Sequence, residues 1–512
     1  MLAHLFKKAV KRFPKQTAIV YDQLQISYQE LDSKVERLSA GLSSLGITQG
    51  NCIAVVLPNC PEFVFSFYAI AQLNAIILPL NHLFKEEELS YCIEDSQAKA
   101  IITDYKRLEI CTRAIAKLNR EIEIIVVDRV ASQTHFFYDL VTKVSTSATS
   151  QSDTVFGGNF LYQYSSGSTG KPKRVCRTQD NLYHEAKNFA QTTQITPNDK
   201  ILCAVPLYHS HGLGNCLLAA TCNGATLVIL EPVLQKDGTP VEVPFVFRRP
   251  RILSLIKTEK ITIFPGVPYI FNTMAETPAD QSVDLSSLRL CFSAGNFLSE
   301  EIFDKFLARF NLPIRQLYGC TEAGAIAINS EIYPVPTRTS VGFPLKNVEI
   351  KIIDEAENEL PDGMIGEIVI KSLSLTSGYA NQPELNQQAF KNSYFLTGDI
   401  GKKDHTGRLY VTGRKKLLID TGGRKVDSLE IEEILMKHPK IQEAVVVGVK
   451  GEYAGELIKA VLVKKPQEPC EYSEIISFCK TQMAEFKIPK IIEFRPEIPK
   501  SPLGKILRKE LV

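Results

Sequence analysis

The sequence predicts an α/β protein: a large N-terminal domain of layered sheets over residues 1–412 and a small C-terminal α+β domain over residues 413–512. Three observations predict it. The chain has 512 residues, more than one hydrophobic core serves, so two or more domains are expected. Up to Val411, helical periods alternate with short β-branched runs, the pattern of parallel sheets with crossover helices. Beyond Gly413–Lys416 that alternation stops, and a few strands and two helices make a compact unit.

The elements follow in order. Leu2, Leu5, Phe6 and Val10 sit at helical spacing, so the chain opens on an amphipathic helix. This opening lacks the apolar core of a secretory signal, and a mitochondrial-type address is the alternative reading of it. Leu31–Leu45 reads as helix, Ile53–Leu57 as strand, Phe63–Leu73 as helix, and Ala75–Leu78 and Ala100–Thr103 as strands. Ser145–Thr154 is a polar linker and Phe160–Tyr164 a strand. Arg408–Val411 reads as the last strand of the large domain. In the small domain, Asp427 with Glu430 suits a capping box for a helix over Leu429–Lys437. Strands over Glu443–Val449 and Ile458–Val463 follow, then a helix near Glu474–Phe486.

Composition narrows the function. Lys and Arg number 59 against 57 Asp and Glu, a net +2, which speaks against nucleic-acid or anionic-membrane partners. No apolar run approaches the roughly 18–20 residues of a spanning helix, so no integral membrane segment is expected. The 12 Cys are scattered singly without a CxxC, which suits a reduced, cytoplasmic protein.

The chemistry begins after Phe160–Tyr164. Ser165, Ser166, Gly167, Ser168, Thr169, Gly170, Lys171, Pro172 and Lys173 form a loop of hydroxyls, glycines and lysines. Glycines let backbone approach a ligand; hydroxyls, N–H groups and ammonium groups donate to phosphate oxygens. A Walker A loop is excluded, because only two residues separate Gly167 from Gly170 and Pro172 follows Lys171.

The run Tyr164–Val175 resembles the phosphate loop of the acyl-adenylate-forming superfamily, the AMP-dependent synthetases and ligases that include acyl-CoA and aryl-CoA ligases. Arg174 stands where that pattern has Gly, and Gln179 where it has His. Further motifs occur in the family's order. Tyr318-Gly319-Cys320-Thr321-Glu322 resembles Tyr-Gly-x-Thr-Glu. The resemblance implies a Tyr318 ring beside adenine, a Thr321 hydroxyl on the α-phosphate, and Glu322 as the Mg²⁺ ligand. Ser293-Ala294-Gly295 resembles the stretch passing adenine, and from it Gly295 is carried over. Thr397-Gly398-Asp399 matches the carboxylate that binds both ribose hydroxyls. Gly413-Arg414-Lys415-Lys416 resembles the hinge motif, with Arg414 on ribose and Lys416 the pivot. Gly422 and Gly423 match the turn lining the thiol's path, although Asp420 and Ser428 depart from the usual Lys and Pro. Near the end, Gly504-Lys505-Ile506-Leu507-Arg508 matches the closing motif, and Lys505 its adenylating lysine.

The acid's pocket is implied less sharply. Pro206-Leu207-Tyr208-His209-Ser210-His211-Gly212-Leu213 resembles Pro-Leu-Phe-His-x-x-Gly-Leu, placing His209 beside the carboxylate and thiol channel and His211 on the acyl group. Two histidines spaced by one after a strand are expected to share a face. Phe264–Tyr269 resembles the pocket wall, with Val267 and Tyr269 at the acyl group, and Leu317 stands where aryl-CoA ligases have Gly. The Asp with which amino-acid-activating relatives hold the ammonium has no counterpart, so a simple aliphatic or small aryl acid is expected. Arg248, Arg249 and Arg251 suit a solvated helix start, or a contact with a coenzyme A phosphate or a carrier protein.

Together the resemblance implies an acid–thiol ligase. With ATP and Mg²⁺ it makes an acyl-AMP, then a thioester on coenzyme A, the alternative acceptor being the phosphopantetheine of an acyl carrier protein. The small domain is implied to be a mobile lid.

Overall fold

The computed structural model describes residues 2–118, 120–142, 157–165, 172–234, 240–241, 243, 245–278, 280–281, 283–421, 425–450, 456–466, 468–483, 485–500 and 506–512. The Ser145–Thr154 linker lies outside them. Two compact units emerge: Met1–Ile350 with Ile370–Phe395, and Lys351–Val369 with Leu396–Val512.

Among the described residues the larger unit holds a nine-stranded and an eight-stranded sheet. The first runs in parallel through Thr17–Tyr21, Thr226–Ile229, Lys200–Cys203, Ile263–Gly266, Leu290–Ser293 and Ile314–Cys320. Antiparallel strands Leu24–Ser27 and Gly324–Ile328 join it. The second is parallel through Asn159–Ser165, Ile76–Pro79, Cys52–Val56, Ala98–Thr103 and Glu123–Val126. Lys173–Thr178 and Gly378–Tyr379 extend it in antiparallel fashion.

One core unites residues from both sheets with helices Tyr28–Ser44, Pro61–Gln72 and Gln179–Thr193. Pro61–Gln72 shows why: it is buried at every position from Phe63 to Ala71, as a helix apolar all round must be. Its Pro61 opens the helix, where a missing N–H costs nothing. A second core, with Leu89, Ile93, Cys111 and Ala114, covers the other face of the eight-stranded sheet.

The early elements lie within a few residues of expectation, and the opening helix spans Leu2–Arg12 with Leu2, Phe6 and Ala9 buried. In the smaller unit, strands Ile441–Lys450, Glu456–Lys464 and Ile491–Phe494 form one sheet. Helices Ser428–Met436 and Tyr472–Gln482 pack on its core. The Asp427 side chain of the expected capping box lies outside what is described. The last of these helices ends at Gln482, not Phe486, because Met483 turns extended and packs against the core.

Candidate active site

The phosphate-loop residues Ser166, Gly167, Ser168, Thr169, Gly170 and Lys171 lie outside the described residues, and its neck is described. Ser165 ends one strand and Lys173 begins the next, and the two are cross-strand partners. The departures from the family pattern beside it are structural. Arg174 is buried, donates to the Asp95 carbonyl and covers the Tyr162 ring at 4.7 Å. Gln179 is buried and bonds Ala71 and Asn74 while accepting from the Ala3 N–H.

Thr321 and Glu322 sit in a tight hairpin. Gly319 pairs with Ala325 and Cys320 with Gly324, leaving Thr321–Ala323 as the loop. Gly324 takes φ +73°, the left-handed residue that closes such a hairpin. A Cβ at Gly319 would stand 2.5 Å from the Gly324 carbonyl oxygen, so glycine is obligatory there. Leu317 and Tyr318 precede the turn and are buried. Glu322 is 9 % exposed. Its Oε1 accepts from the Tyr379 hydroxyl at 2.9 Å, and its carbonyl accepts from Thr376 N–H at 2.7 Å. The Tyr379 ring in turn lies 5.1 Å from Lys173 Nζ. Tyr379 therefore joins the phosphate-loop neck to the acidic turn, a role the sequence did not reveal.

Behind the turn lies a buried ion pair, Arg177–Glu185 at 2.7 Å. Arg177 also donates to the Ser374 carbonyl at 3.0 Å. Desolvation pushes the Glu185 carboxyl up, against the guanidinium that favours its anion. Added Cβ atoms at Gly214 and Gly324 would both strike the Glu185 carboxylate, at 2.0 and 2.2 Å. One carboxylate thus fills the space that these two glycines open.

His209 and His211 do not share a strand face. The strand ends at Cys203, Pro206 follows, and a short helix begins at Ser210 with His209 as its N-cap. His209 Nδ1 accepts the His211 backbone N–H at 3.2 Å. Gln163, on the eight-stranded sheet, grips the same turn through the Tyr208 carbonyl and the Ser210 hydroxyl. Gly212 passes so close that a Cβ would stand 2.1 Å from the Pro206 carbonyl oxygen. His211 is buried, and its Nε2 lies 3.0 Å from the Gly266 carbonyl at the pocket-wall motif. Ala294 donates to that same carbonyl, and Gly295 follows at φ +85°, its nearest neighbour for a Cβ being Val267 at 4.0 Å. Tyr269 is 55 % exposed, its ring beside Phe245.

The arginines at 248–251 are engaged internally. Arg248 and Arg251 hold Glu231, and Arg249 donates to the Thr273 carbonyl.

In the other unit, Asp399 and Arg414 are cross-strand partners, with Nε 3.3 Å from Oδ1. Gly398 takes φ +72° and its N–H donates to Glu367, which also binds Lys415 at 2.8 Å. Glu367 is a second residue the sequence did not reveal. Gly422, Gly423 and Lys505 lie outside the described residues, and of Lys416 the backbone alone is described, in a short 3₁₀ turn. The flanks of Lys505 are anchored. Lys500 bridges to Ile506, and Arg508 grips Glu432 and the Val446 carbonyl.

Glu322 also suits Mg²⁺. A carboxylate has about four acceptor sites, so the Tyr379 bond leaves capacity for a hard cation otherwise carried by nucleotide phosphates.

Comparison with known proteins places these residues in a family. The AMP-binding enzyme profile matches residues 6–380, and the AMP-binding enzyme C-terminal domain profile matches residues 430–505. The long-chain-fatty-acid–CoA ligase of Bacillus subtilis (strain 168) is 30 % identical, over 100 % of this chain and 94 % of its own. The 4-coumarate–CoA ligase 1 of Solanum tuberosum is 32 % identical over 95 % and 88 %. The crystal structure of ATP-bound MatB from Rhodopseudomonas palustris superposes at a TM-score of 0.87, with 25 % identity over 100 % of this chain and 98 % of that one. No helix among the described residues is long and apolar enough to cross a membrane. The chain belongs to the AMP-binding enzyme family, within the acyl-adenylate-forming superfamily, and is an AMP-forming acid–thiol ligase of the acyl-CoA synthetase type.

Proposed function

We propose that this ligase activates a small aliphatic or aryl carboxylic acid with ATP and transfers the acyl group to coenzyme A. In the first half-reaction a carboxylate oxygen bonds to the α-phosphorus and pyrophosphate leaves. In the second, the thiol sulfur bonds to the acyl carbon, AMP leaves, and the thiol proton passes to solvent. The barrier to the first is repulsion between anions, so cations and oriented donors do the work.

Each residue has a part. The loop Ser165–Lys173 holds phosphates, Tyr318, Gly319 and Gly295 border adenine, Thr321 donates to the α-phosphate, and Asp399 with Arg414 holds ribose. His209 stands beside the carboxylate, while His211, Val267, Tyr269 and Leu317 border the acyl group. Glu322 is the residue that would hold Mg²⁺, which supplies charge neutralisation at the phosphates. Residues 413–512 form a lid that pivots at Lys416, bringing Lys505 to the first half-reaction and Gly422–Gly423 to the second. The twelve cysteines form no disulfide, which supports a cytoplasmic site of action.

The observation that carries the reading is the strand-pinned Thr321–Glu322 turn, with Glu322 held by Tyr379 beside Lys173. That relatives are CoA ligases supports coenzyme A over a carrier-protein phosphopantetheine. Pyrophosphate release across a panel of acids tests adenylation, and turnover with coenzyme A against a carrier protein separates the acceptors. Lys505→Ala should lower adenylation by ~10²–10³-fold while thioester formation from supplied acyl-adenylate persists. Equal loss in both half-reactions would remove Lys505 from its assigned role.

A further inference from the structure

A cavity of about 510 Å³ opens on the eight-stranded sheet of the larger unit, at the amino ends of its parallel strands. Asn51, Gln97 and Arg120 come from the segments that lead into Cys52–Val56, Ala98–Thr103 and Glu123–Val126. The phosphate loop leaves the same sheet from the other edge, after Ser165 at the carboxyl end of its strand. Ligands of parallel sheets ordinarily bind at the carboxyl ends, and no residue assigned to adenylation lines this cavity. Its volume is that of a small-molecule site.

Arg174, Arg120 and Lys99 face the cavity against a single carboxylate, Asp95. Asp95 is already engaged, accepting from the Tyr164 hydroxyl at 2.6 Å and facing Arg174 Nη1 at 3.4 Å. Arg120 donates to the Ile93 carbonyl at 2.7 Å and has no carboxylate partner among the described residues. Arg174 is 8 % exposed. Its Nη1 donates to the Asp95 carbonyl, while its Nε is buried without a partner and its Nη2 has no hydrogen bond among the described residues. Nε and Nη2 form one edge of the guanidinium fork. With that edge Arg289 grips both oxygens of Asp199, at 2.8 and 3.0 Å. On Arg174 the same edge is open. A buried charged donor left unmade is costly, and the glycine of the family pattern at this position would carry no such cost.

We propose that this cavity is a second ligand site, and that it takes a phosphate monoester of a small polar molecule, a sugar or polyol phosphate in size. The surplus of two positive charges matches a phosphate monoester, which is close to a dianion near neutral pH. The open edge of Arg174 suits phosphate through two parallel N–H···O bonds, made when the ligand draws the guanidinium into the cavity. A phosphate group alone would leave most of the volume empty. The amides of Asn51 and Gln97 line part of the remainder, and they suit hydroxyls rather than an apolar tail. The site takes no part in activating the acid, so this inference stands apart from the adenylation reading.

The test is isothermal titration of the full chain, its nucleotide site filled by excess AMP. The probes are glycerol 3-phosphate, ribose 5-phosphate and glucose 6-phosphate, each against its unphosphorylated parent. At least one ester should bind with a Kd below about 1 mM, and its parent about tenfold more weakly or not at all. Arg174→Gly, which installs the residue of the family pattern, and Arg120→Gln should each weaken that ester about tenfold or more. Should Arg174→Gly fail to fold, Arg120→Gln and Lys99→Gln decide. The proposal is overturned if no ester binds, or if inorganic phosphate or citrate binds as tightly as the best ester. It is equally overturned if a folded Arg174→Gly or Arg120→Gln variant keeps full affinity, which would place the ligand elsewhere.

Discussion

Glu322 and Asp399 are both carboxylates assigned to the same nucleotide, yet they are positioned by different means. Glu322 is buried on a three-residue turn, and a core tyrosine holds its oxygen. Asp399 stands on a strand, fixed by cross-strand register against Arg414, whose side chain is 53 % exposed. The first is preorganised by packing, so its cost is met in folding. The second is set by a ladder and open to water, so its ion pair contributes little until a ligand excludes solvent. Function at the two sites should therefore fail differently.

The contrast is broken most directly at Glu322. Glu322→Gln keeps shape and the Tyr379 bond but removes the charge. Pyrophosphate release should fall by ~10²–10³-fold with the melting temperature nearly unchanged. A loss below tenfold would mean that the turn does not hold the cation.

The buried histidine sharpens the same contrast through pH. His211 is depressed by desolvation from 6.5 to about 4, with His209 adding a smaller push and the Gly266 bond opposing. Between these values the unfolded chain binds a proton that the folded chain refuses. Stability contributed here is complete above pH ~6.5 and declines as pH falls toward 4, by ~3 kcal/mol in all. Wild type should lose melting temperature between pH 7 and 5 faster than His211→Phe does. Parallel slopes would show that the ring is not held neutral.

Much of this was legible in the sequence where backbone demands a particular residue. The Tyr-Gly-x-Thr-Glu motif marked Thr321 and Glu322, and the structure adds the hairpin that carries them, with Gly319 against a carbonyl and Gly324 at positive φ. Helix Pro61–Gln72 betrays itself by continuous apolarity. What stayed hidden were side-chain bonds between distant segments. Tyr379 reaches Glu322 across 57 residues, and His211 reaches Gly266 across 55. Periodicity carries no signal for such pairs. The shared face expected of His209 and His211 failed because the strand already ends at Cys203, and His209 caps the short helix that His211 enters.

Tyr379→Phe probes positioning without touching the carboxylate. A hydrogen bond to a charged acceptor is worth about 1.5–3 kcal/mol, so catalysis should drop roughly 10- to 100-fold. The loss should show as a higher magnesium requirement, with the fold intact. Loss of melting temperature with normal turnover would make Tyr379 a packing residue only.

The smallest effect is expected across the ladder. Arg414→Lys retains charge but loses the planar fork that can reach a carboxylate and a diol together. The Asp399 pair is half open to water, so its stability change should stay below about 1 kcal/mol. KM for ATP should rise only a few-fold, with kcat for pyrophosphate release little altered, because strand register still delivers Asp399. If Arg414→Lys instead cost as much as Glu322→Gln, the ladder would be a preorganised site after all. The distinction between a packed carboxylate and a register-set one would then fail, since a solvent-facing pair would be supplying stabilisation that its exposure does not permit.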